Sequence, residues 1–342
     1  MNEPTLSTSQ RHFEHRRVLV LGATGTIGRA TVQALVRRGY EVVCLVRSRA
    51  GVYDTPTLNG SAGPLSGASL RFGQVTDPKS LARDGFFGES FDALVSCLAS
   101  RTGVPKDAWA VDYQAHVDAL EAARRVGVKQ MVYLSAICVQ KPLLGFQQAK
   151  LAFEKTLAGS GLTYSIVRPT AFFKSLSGQV DRVRNGKPFL IFGDGTLTAC
   201  KPISDNDLGE YLADCLEDEQ RHNCVLPIGG PGDAITPRQQ GEYLFELLGR
   251  KPNFSSVPIW MLDAIVGGLE MLSRVSPSLA NKAELARIGR YYATESMLVL
   301  NPATGRYDAA STPSTGTETL VDFYARLIAG EASAERGDHA VF

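Results

Sequence analysis

Gly22-Ala-Thr-Gly-Thr-Ile-Gly28 is the stretch on which the reading of the fold turns. Five apolar or small residues, Val18 to Gly22, lead into it with the character of a buried strand. After it, Arg29 to Arg38 spaces Ala30, Val32, Ala34, Leu35 and Val36 as a helix packed on a sheet requires. Glycines three apart at such a turn let the backbone bend sharply and come close to a pyrophosphate. The helix that follows offers free N–H groups and a partial positive charge to the same anion. Glycine-rich turns are common, and the usual dinucleotide spacing is G-x-G-x-x-G. The order strand, turn, helix is what gives this one weight. Gly22, Thr24, Gly25, Thr26, Ile27 and Gly28 are therefore expected to hold a dinucleotide.

Outward from this unit the chain alternates strand and helix. Further strands are expected at Glu41–Arg47, Ser69–Val75, Phe91–Leu98, Gln130–Ser135 and Thr163–Arg168, the last stopped by Pro169. Helices are expected at 106–126 and 147–159, with a short one after Asp77-Pro78. Residues 48 to 69, rich in Gly, Ser, Pro and Thr, read as a long loop. This rhythm predicts an α/β fold, a doubly wound parallel sheet of the Rossmann type. Beyond Pro169 the pattern changes, with strands expected at Phe189–Gly193 and Cys224–Gly229. Helices are expected there at 205–217, 236–248, 258–274 and 319–329, and 307–317 is turn-rich. The expected organisation is a loose tail at 1–16, a nucleotide-binding core at 17–169, a smaller C-terminal substrate-binding region at 170–330 whose late elements return to the core, and a second tail at 331–342.

With 44% hydrophobic and 21% charged residues, 342 residues can bury a sizeable core. A net charge of +1 and the absence of a basic run give no reason to expect nucleic acid. Six scattered cysteines without a C-x-x-C pair read as reduced, mostly buried thiols in a cytosol-like compartment. No apolar stretch reaches the roughly 20 residues that span a bilayer. The helix at 258–274 carries Asp263 and Glu270, and half-buried packing or a pocket wall is expected of it; an oligomer interface or a peripheral membrane contact stays open. The five histidines do not cluster, and no metal site of the protein's own is visible. His116, within a helix, is the one inspected as a magnesium ligand, and helix histidines usually have a structural role.

In this fold the residue ending the second strand lies beside the adenosine ribose, where an acid selects NAD and an arginine NADP. Arg47 holds that position, with no acid between Cys44 and Ala50, and guanidinium suits a phosphate. NADPH is the expected cofactor. Asp77 is placed to accept from the adenine amine, or to cap the helix it precedes, and the two roles are compatible.

Ser135 ends the fifth strand at the sheet's C-terminal edge, and Lys150 opens the next helix. This layout resembles the short-chain dehydrogenase/reductase superfamily. There a serine follows that strand, and a Tyr-x-x-x-Lys pair supplies a phenol for proton transfer and a lysine for the nicotinamide ribose. The residue four before Lys150 is Phe146, so the acid–base group of carbonyl chemistry is missing. Either the chain binds NADP without turnover, or it reduces a conjugated carbon–carbon bond whose negative charge spreads through a π-system.

A narrower resemblance rests on VLVLGATGTIGRA (18–30), YLSAICVQKPLLGFQQAKLAFE (133–154), VRPTAFFKSLSGQV (167–180), FGDGTLTACKPISDNDL (192–208) and ARIGRYYATESMLV (286–299). ICVQKPLL, TACKPISD and YYATESML are its most specific parts. The chain resembles the 8-vinyl reductases of chlorophyll and bacteriochlorophyll biosynthesis, atypical members of that superfamily. The resemblance implies NADPH-dependent reduction of the 8-vinyl group of divinyl (proto)chlorophyllide to ethyl. A phenylalanine at position 146 is in keeping with it. It implies that Gly22, Gly25 and Gly28 hold the pyrophosphate and Arg47 the 2′-phosphate, with Ser135 and Lys150 catalytic beside the nicotinamide. Pro169 to Lys174 and Lys201 to Ser204 would border a magnesium-tetrapyrrole pocket, with Phe146, Phe172 and Phe173 against the macrocycle, and Pro169 would also touch the cofactor. Lys174 and Lys201 would meet a propionate. A cytoplasmic bacterial location, loosely associated with the photosynthetic membrane, follows from the same resemblance. Two alternatives remain open: a reductase of another conjugated bond of phenolic or quinone-methide type, and a non-catalytic NADP-binding regulator or assembly factor.

Overall fold

A computed structural model describes residues 16–47, 60, 63–273 and 277–333. The tail expected at 1–16 falls outside these except for Arg16. Most of the loop expected at 48–69 and most of the tail at 331–342 also fall outside them.

The strands are β1 (Arg17–Leu21), β2 (Glu41–Val46), β3 (Ser69–Phe72), β4 (Ala93–Ser96), β5 (Gln130–Leu134), β6 (Thr163–Pro169), β7 (Phe189–Phe192), β8 (Cys224–Ile228), β9 (Phe254–Val257), β10 (Val299–Asn301) and β11 (Arg306–Asp308). The main helices are α1 (Thr26–Arg37), α2 (Ala115–Arg125), α3 (Gly145–Ala158), α4 (Asp205–Asp214), α5 (Pro237–Leu247), α6 (Ile259–Ser273), α7 (Pro277–Thr294) and α8 (Leu320–Ala329). Seven strands form one sheet in the order β3-β2-β1-β4-β5-β6-β8. Every pair in it is parallel, with Val18 opposite both Val42 and Ala93. The order reverses between β1 and β4, which opens a crevice beyond their C-terminal ends.

Strand alternation explains the layers. Val18 and Val20 face a core shared with Val32 and Leu35 of α1 and Leu208 and Leu212 of α4. Leu19 and Leu21 face the opposite core, with Leu120 and Ala123 of α2 and Phe153 and Leu157 of α3. Both faces of the sheet are covered, so β1 is buried over Val18 to Leu21 rather than alternating in polarity. The strand expected near Cys224 is the seventh of this sheet and pairs with β6 from Ser165↔Cys224 to Pro169↔Ile228.

Residues 105–125 are helical, close to the expected 106–126, but Trp109–Gln114 forms a π-helical turn in their middle. A separate core gathers Phe173, Val183, Phe189, Leu244, Leu320 and Tyr324 under the two-stranded β7–β9 sheet. The helix expected at 258–274 is α6, and it is half-buried: none of its fifteen residues is fully buried, Trp260 is 68% exposed, and Leu262, Val266 and Leu269 are partly covered. It packs on α7, whose Arg290 and Arg287 pair with its Asp263 and Glu270. α7 itself was not expected from the sequence.

Candidate functional site

The glycine turn sits at the mouth of the crevice. Gly22 has φ of +75°, and a Cβ on it would lie 2.6 Å from the backbone of Cys97 and Leu98 beyond β4. A Cβ on Gly28 would meet the Gly22 carbonyl at 2.1 Å. Gly25 is different: it is exposed, and the nearest atom to its Cβ would be the Gly22 oxygen at 3.4 Å. Two of the glycines thus permit backbone packing, and the third presents a bare surface outward. Gly25 caps α1 without a side-chain hydrogen bond, and the first turn holds no acid. The Thr26 Oγ1 is buried with no partner among the described residues. An uncapped helix start with an open glycine and a spare hydroxyl fits a pyrophosphate. Arg47 is exposed just past β2, and Asp77 caps the short helix after β3 by accepting from the Lys79 N–H at 3.0 Å.

Across the crevice the π-helical turn carries Asp112 into the interior at 0% exposure. Lys150 Nζ stands 3.1 Å from its Oδ1, so this lysine is a buried ion-pair member rather than an exposed helix residue. Asp112 also accepts from the Ser100 N–H at 3.2 Å, while its Oδ2 has no partner among the described residues. Burial pulls the Lys150 pKa down, but Asp112 and Tyr133 outweigh it and hold the ammonium above the ordinary lysine range. Beneath it, His116 is fixed as a neutral ring. Nδ1–H donates to the Val111 carbonyl at 2.9 Å, leaving Nε2 to accept from the Ser96 hydroxyl at 2.8 Å. Burial, then the charge of Lys150, pushes its pKa down to about 4. With both nitrogens occupied inside the fold, His116 has no lone pair for a substrate's magnesium.

Helix α3 brings Phe146, Lys150 and Glu154 to one face, each four residues from the next. Ser135 Oγ donates to Glu154 Oε1 at 2.5 Å. Arg168, at the end of β6, grips both carboxylate oxygens, through Nε at 3.0 Å and through Nη2. Glu154 is 3% exposed. Phe146 is half-buried beside Ile288 of α7, its ring and the isoleucine side chain both lying against Gly103.

The three most specific strings of the sequence meet around Phe146. Tyr291 donates to the carbonyls of Cys138 and Lys141, at 3.1 and 3.2 Å. Gln140 donates to Leu298 O and accepts from Leu300 N. Lys141 Nζ is 2.6 Å from Glu295. Met297 N donates to Ala199 O at 3.0 Å, and Cys200 bridges both Met297 and Ile235. Residues 137–144, 198–205 and 291–298 are therefore one wall.

The other expected residues divide. Phe172 packs against the sheet core and pairs with Ile203. Phe173 is 3% exposed and stacks on Phe323 in the C-terminal core. Lys201 Nζ donates to Thr312 O and Ser314 Oγ, at 2.9 and 3.2 Å. Lys174 lines a cleft of about 430 Å³ with Thr26, Arg29, Ser204, Asn206 and Arg326, on the same side as the glycine turn. Pro169 is buried at the end of β6. Asp112, Glu154, Arg168 and Tyr133 were not expected as site residues. The signal that was available is the four-residue spacing of Phe146, Lys150 and Glu154 on an otherwise apolar helix face.

A family model described as NAD(P)H-binding matches residues 22–219, so the chain carries an NAD(P)H-binding domain. The divinyl chlorophyllide a 8-vinyl-reductase of Zea mays is 51% identical over 331 residues, covering 95% of this chain and 82% of that protein. The chain belongs to the divinyl chlorophyllide a 8-vinyl-reductase family. Its Arabidopsis thaliana member is 49% identical over 332 residues, covering 94% and 79% of the two chains. Among solved structures, an NADPH-dependent quinone oxidoreductase of Escherichia coli complexed with NADPH superposes with a TM-score of 0.64 at 18% identity, over 91% of this chain and 99% of that one. At that identity the likeness concerns the fold.

Proposed function

We propose that the chain reduces the 8-vinyl group of divinyl chlorophyllide a to ethyl with NADPH. The observation that carries this reading is Phe146, set beside a buried Lys150 in a family named for that reaction. A bound NADPH supplies the hydride. The turn Gly22–Gly28 holds its pyrophosphate, and Arg47 its 2′-phosphate. Lys150, kept protonated and immobile by Asp112, offers an ammonium to the nicotinamide ribose. The reaction adds one hydride and one proton across a carbon–carbon double bond, and the macrocycle spreads the intervening negative charge, so no phenol is needed at position 146. Phe146 and Phe172 give the flat pigment apolar edges, and the proton comes from water.

The test is to mix the protein, NADPH and divinyl chlorophyllide a, and to follow the pigment's absorption bands beside NADPH oxidation. A shift to the ethyl pigment with matching NADPH loss is expected. NADPH binding without a spectral shift would leave a non-catalytic NADP-binding protein as the better reading.

The outward face of α6 we assign to a lipid surface. Trp260, Ile265, Met271 and Leu272 are 47–68% exposed, and both acids of the helix are neutralised by α7. α7 in turn leans on Phe146 through Ile288, so the apolar face backs onto the proposed pocket of a pigment that itself partitions into bilayers. Among the described residues no helix is long and apolar enough to cross a membrane, so the contact is peripheral. Co-sedimentation with anionic vesicles is expected, and its loss in a Trp260→Ser/Met271→Ser variant. A dimer in light scattering that hides this face, with no vesicle binding, would refute the assignment.

A further inference from the structure

A serine hydroxyl has one proton, and that of Ser135 is given to Glu154. A carboxylate gripped on both oxygens by a guanidinium offers acceptors alone. Ser135 therefore meets anything in the crevice with its lone pairs. We propose that Glu154 is a positioning residue that fixes Ser135 as a hydrogen-bond acceptor toward the nicotinamide carboxamide, and so denies a donor to a carbonyl oxygen at the same place. The proposal rests on the reading above, in which the hydride end of NADPH lies beside Ser135.

The chemistry of the two ligands explains the choice. The carboxamide NH2 is the N–H donor at the hydride end of the cofactor. A magnesium tetrapyrrole has its four nitrogens on the metal and no N–H to give, but it carries carbonyl oxygens that a donor would polarise. Phe146 has no hydroxyl, Lys150 is held by Asp112, and Ser135 is turned by Glu154. Each group that would activate a carbonyl is removed or tied back, and the carbon–carbon bond is left as the acceptor of hydride. Glu154 and Arg168 are thus specificity-determining without touching the substrate.

Calorimetric titration with NADP⁺ and with its 3-acetylpyridine analogue, which carries a methyl where the carboxamide has NH2, tests this without turnover. The wild-type protein is expected to prefer NADP⁺ about tenfold, the worth of one net hydrogen bond. In Ser135→Ala the preference falls to within about twofold. In Glu154→Gln, with the amide oxygen on Arg168 Nη2, the NH2 takes the Oε1 place that Ser135 and Arg168 Nε share and turns the hydroxyl outward, so the preference falls although Ser135 is present. The double variant adds nothing further. Glu154→Asp, which keeps the charge but withdraws it by one carbon, is expected to give the same collapse if Glu154→Gln does not fold. A tenfold preference retained in both Glu154 variants, or an equal preference in wild type and Ser135→Ala, overturns the proposal. Absent pigment reduction with the collapse intact would fault the vinyl-reductase reading instead, and failure of the wild type to bind NADP⁺ overturns both.

Discussion

Replacing Lys150 with methionine would strand the Asp112 carboxylate in a place that water does not reach. The two side chains are 8% and 0% exposed, and after the change Asp112 Oδ1 keeps the Ser100 N–H while Oδ2 still has no partner among the described residues. Breaking a buried pair by deleting one member costs about 3–5 kcal/mol, chiefly because the other charge stays behind unpaired. With an unfolding entropy of about 2.1 cal/mol/K per residue, 342 residues give about 0.7 kcal/mol/K, so Tm should fall by about 4–7 °C. Lys150→Met/Asp112→Asn removes both charges and keeps the volume, and should regain most of the loss. The raised Lys150 pKa fixes the pH behaviour. Its contribution is fully present below the unfolded lysine value of about 10.4 and is lost only as pH climbs through the higher folded value. The gap between wild type and single variant should therefore be flat from about pH 6 to 9. Thermal melts followed by near-ultraviolet dichroism, with urea titrations at three pH values, measure it. A single variant within about 0.5 kcal/mol of wild type, or a double variant no more stable than the single, would show that the pair is not coupled in this way.

Arg47→Asp should weaken NADPH by about 10- to 100-fold while changing NADH far less, because a charge-assisted contact to one phosphate is what distinguishes them; equal losses in titrations with both would rule out the phosphate role. His116, with a folded pKa of about 4 against about 6.5 unfolded, takes up its proton more readily in the unfolded chain. Stability should fall as pH drops from about 6.5 toward 4, by about 2 kcal/mol at pH 5, and His116→Asn should flatten that slope in urea titrations. An unchanged slope would count against a buried neutral ring.

The main sheet was legible because its strands are apolar runs of the right length and Gly22, Gly25 and Gly28 mark where the first one turns. The strand at Cys224–Ile228 was also visible, but its partner was not, because parallel pairing joins it to β6 across β7 and α4. Lys150 was singled out from its place after Ser135, while its buried ion-pair partner Asp112 was not. A π-helical turn aims it inward, and nothing in the spacing of Val111 and Val117 announces that extra residue per turn. α7 escaped notice for a related reason. Glu284 is 4% exposed on its buried face, where an amphipathic pattern would put an apolar side chain, and it serves there as acceptor for the Gly145 N–H. Phe172 and Phe173 were paired in the sequence and are parted in the structure, since Phe172 is extended in a bridge to Ile203 while Phe173 begins a helical turn and enters the C-terminal core. α6 was legible as a half-buried helix, and only its packing on α7 reveals which side is covered.

The wall around Phe146 has a consequence for how the molecule is made. Gln140 is joined to Leu298 across 158 residues, and Lys141 to Glu295 across 154. The glycine turn, by contrast, is closed by contacts from the first hundred residues. A ribosome therefore delivers the glycine turn and its partner beyond β4 long before the chain that completes the wall. Closing so long a loop is slow, and slower than forming the local helices on either side of it. During synthesis the wall around Phe146 should be the last part of the molecule to lock.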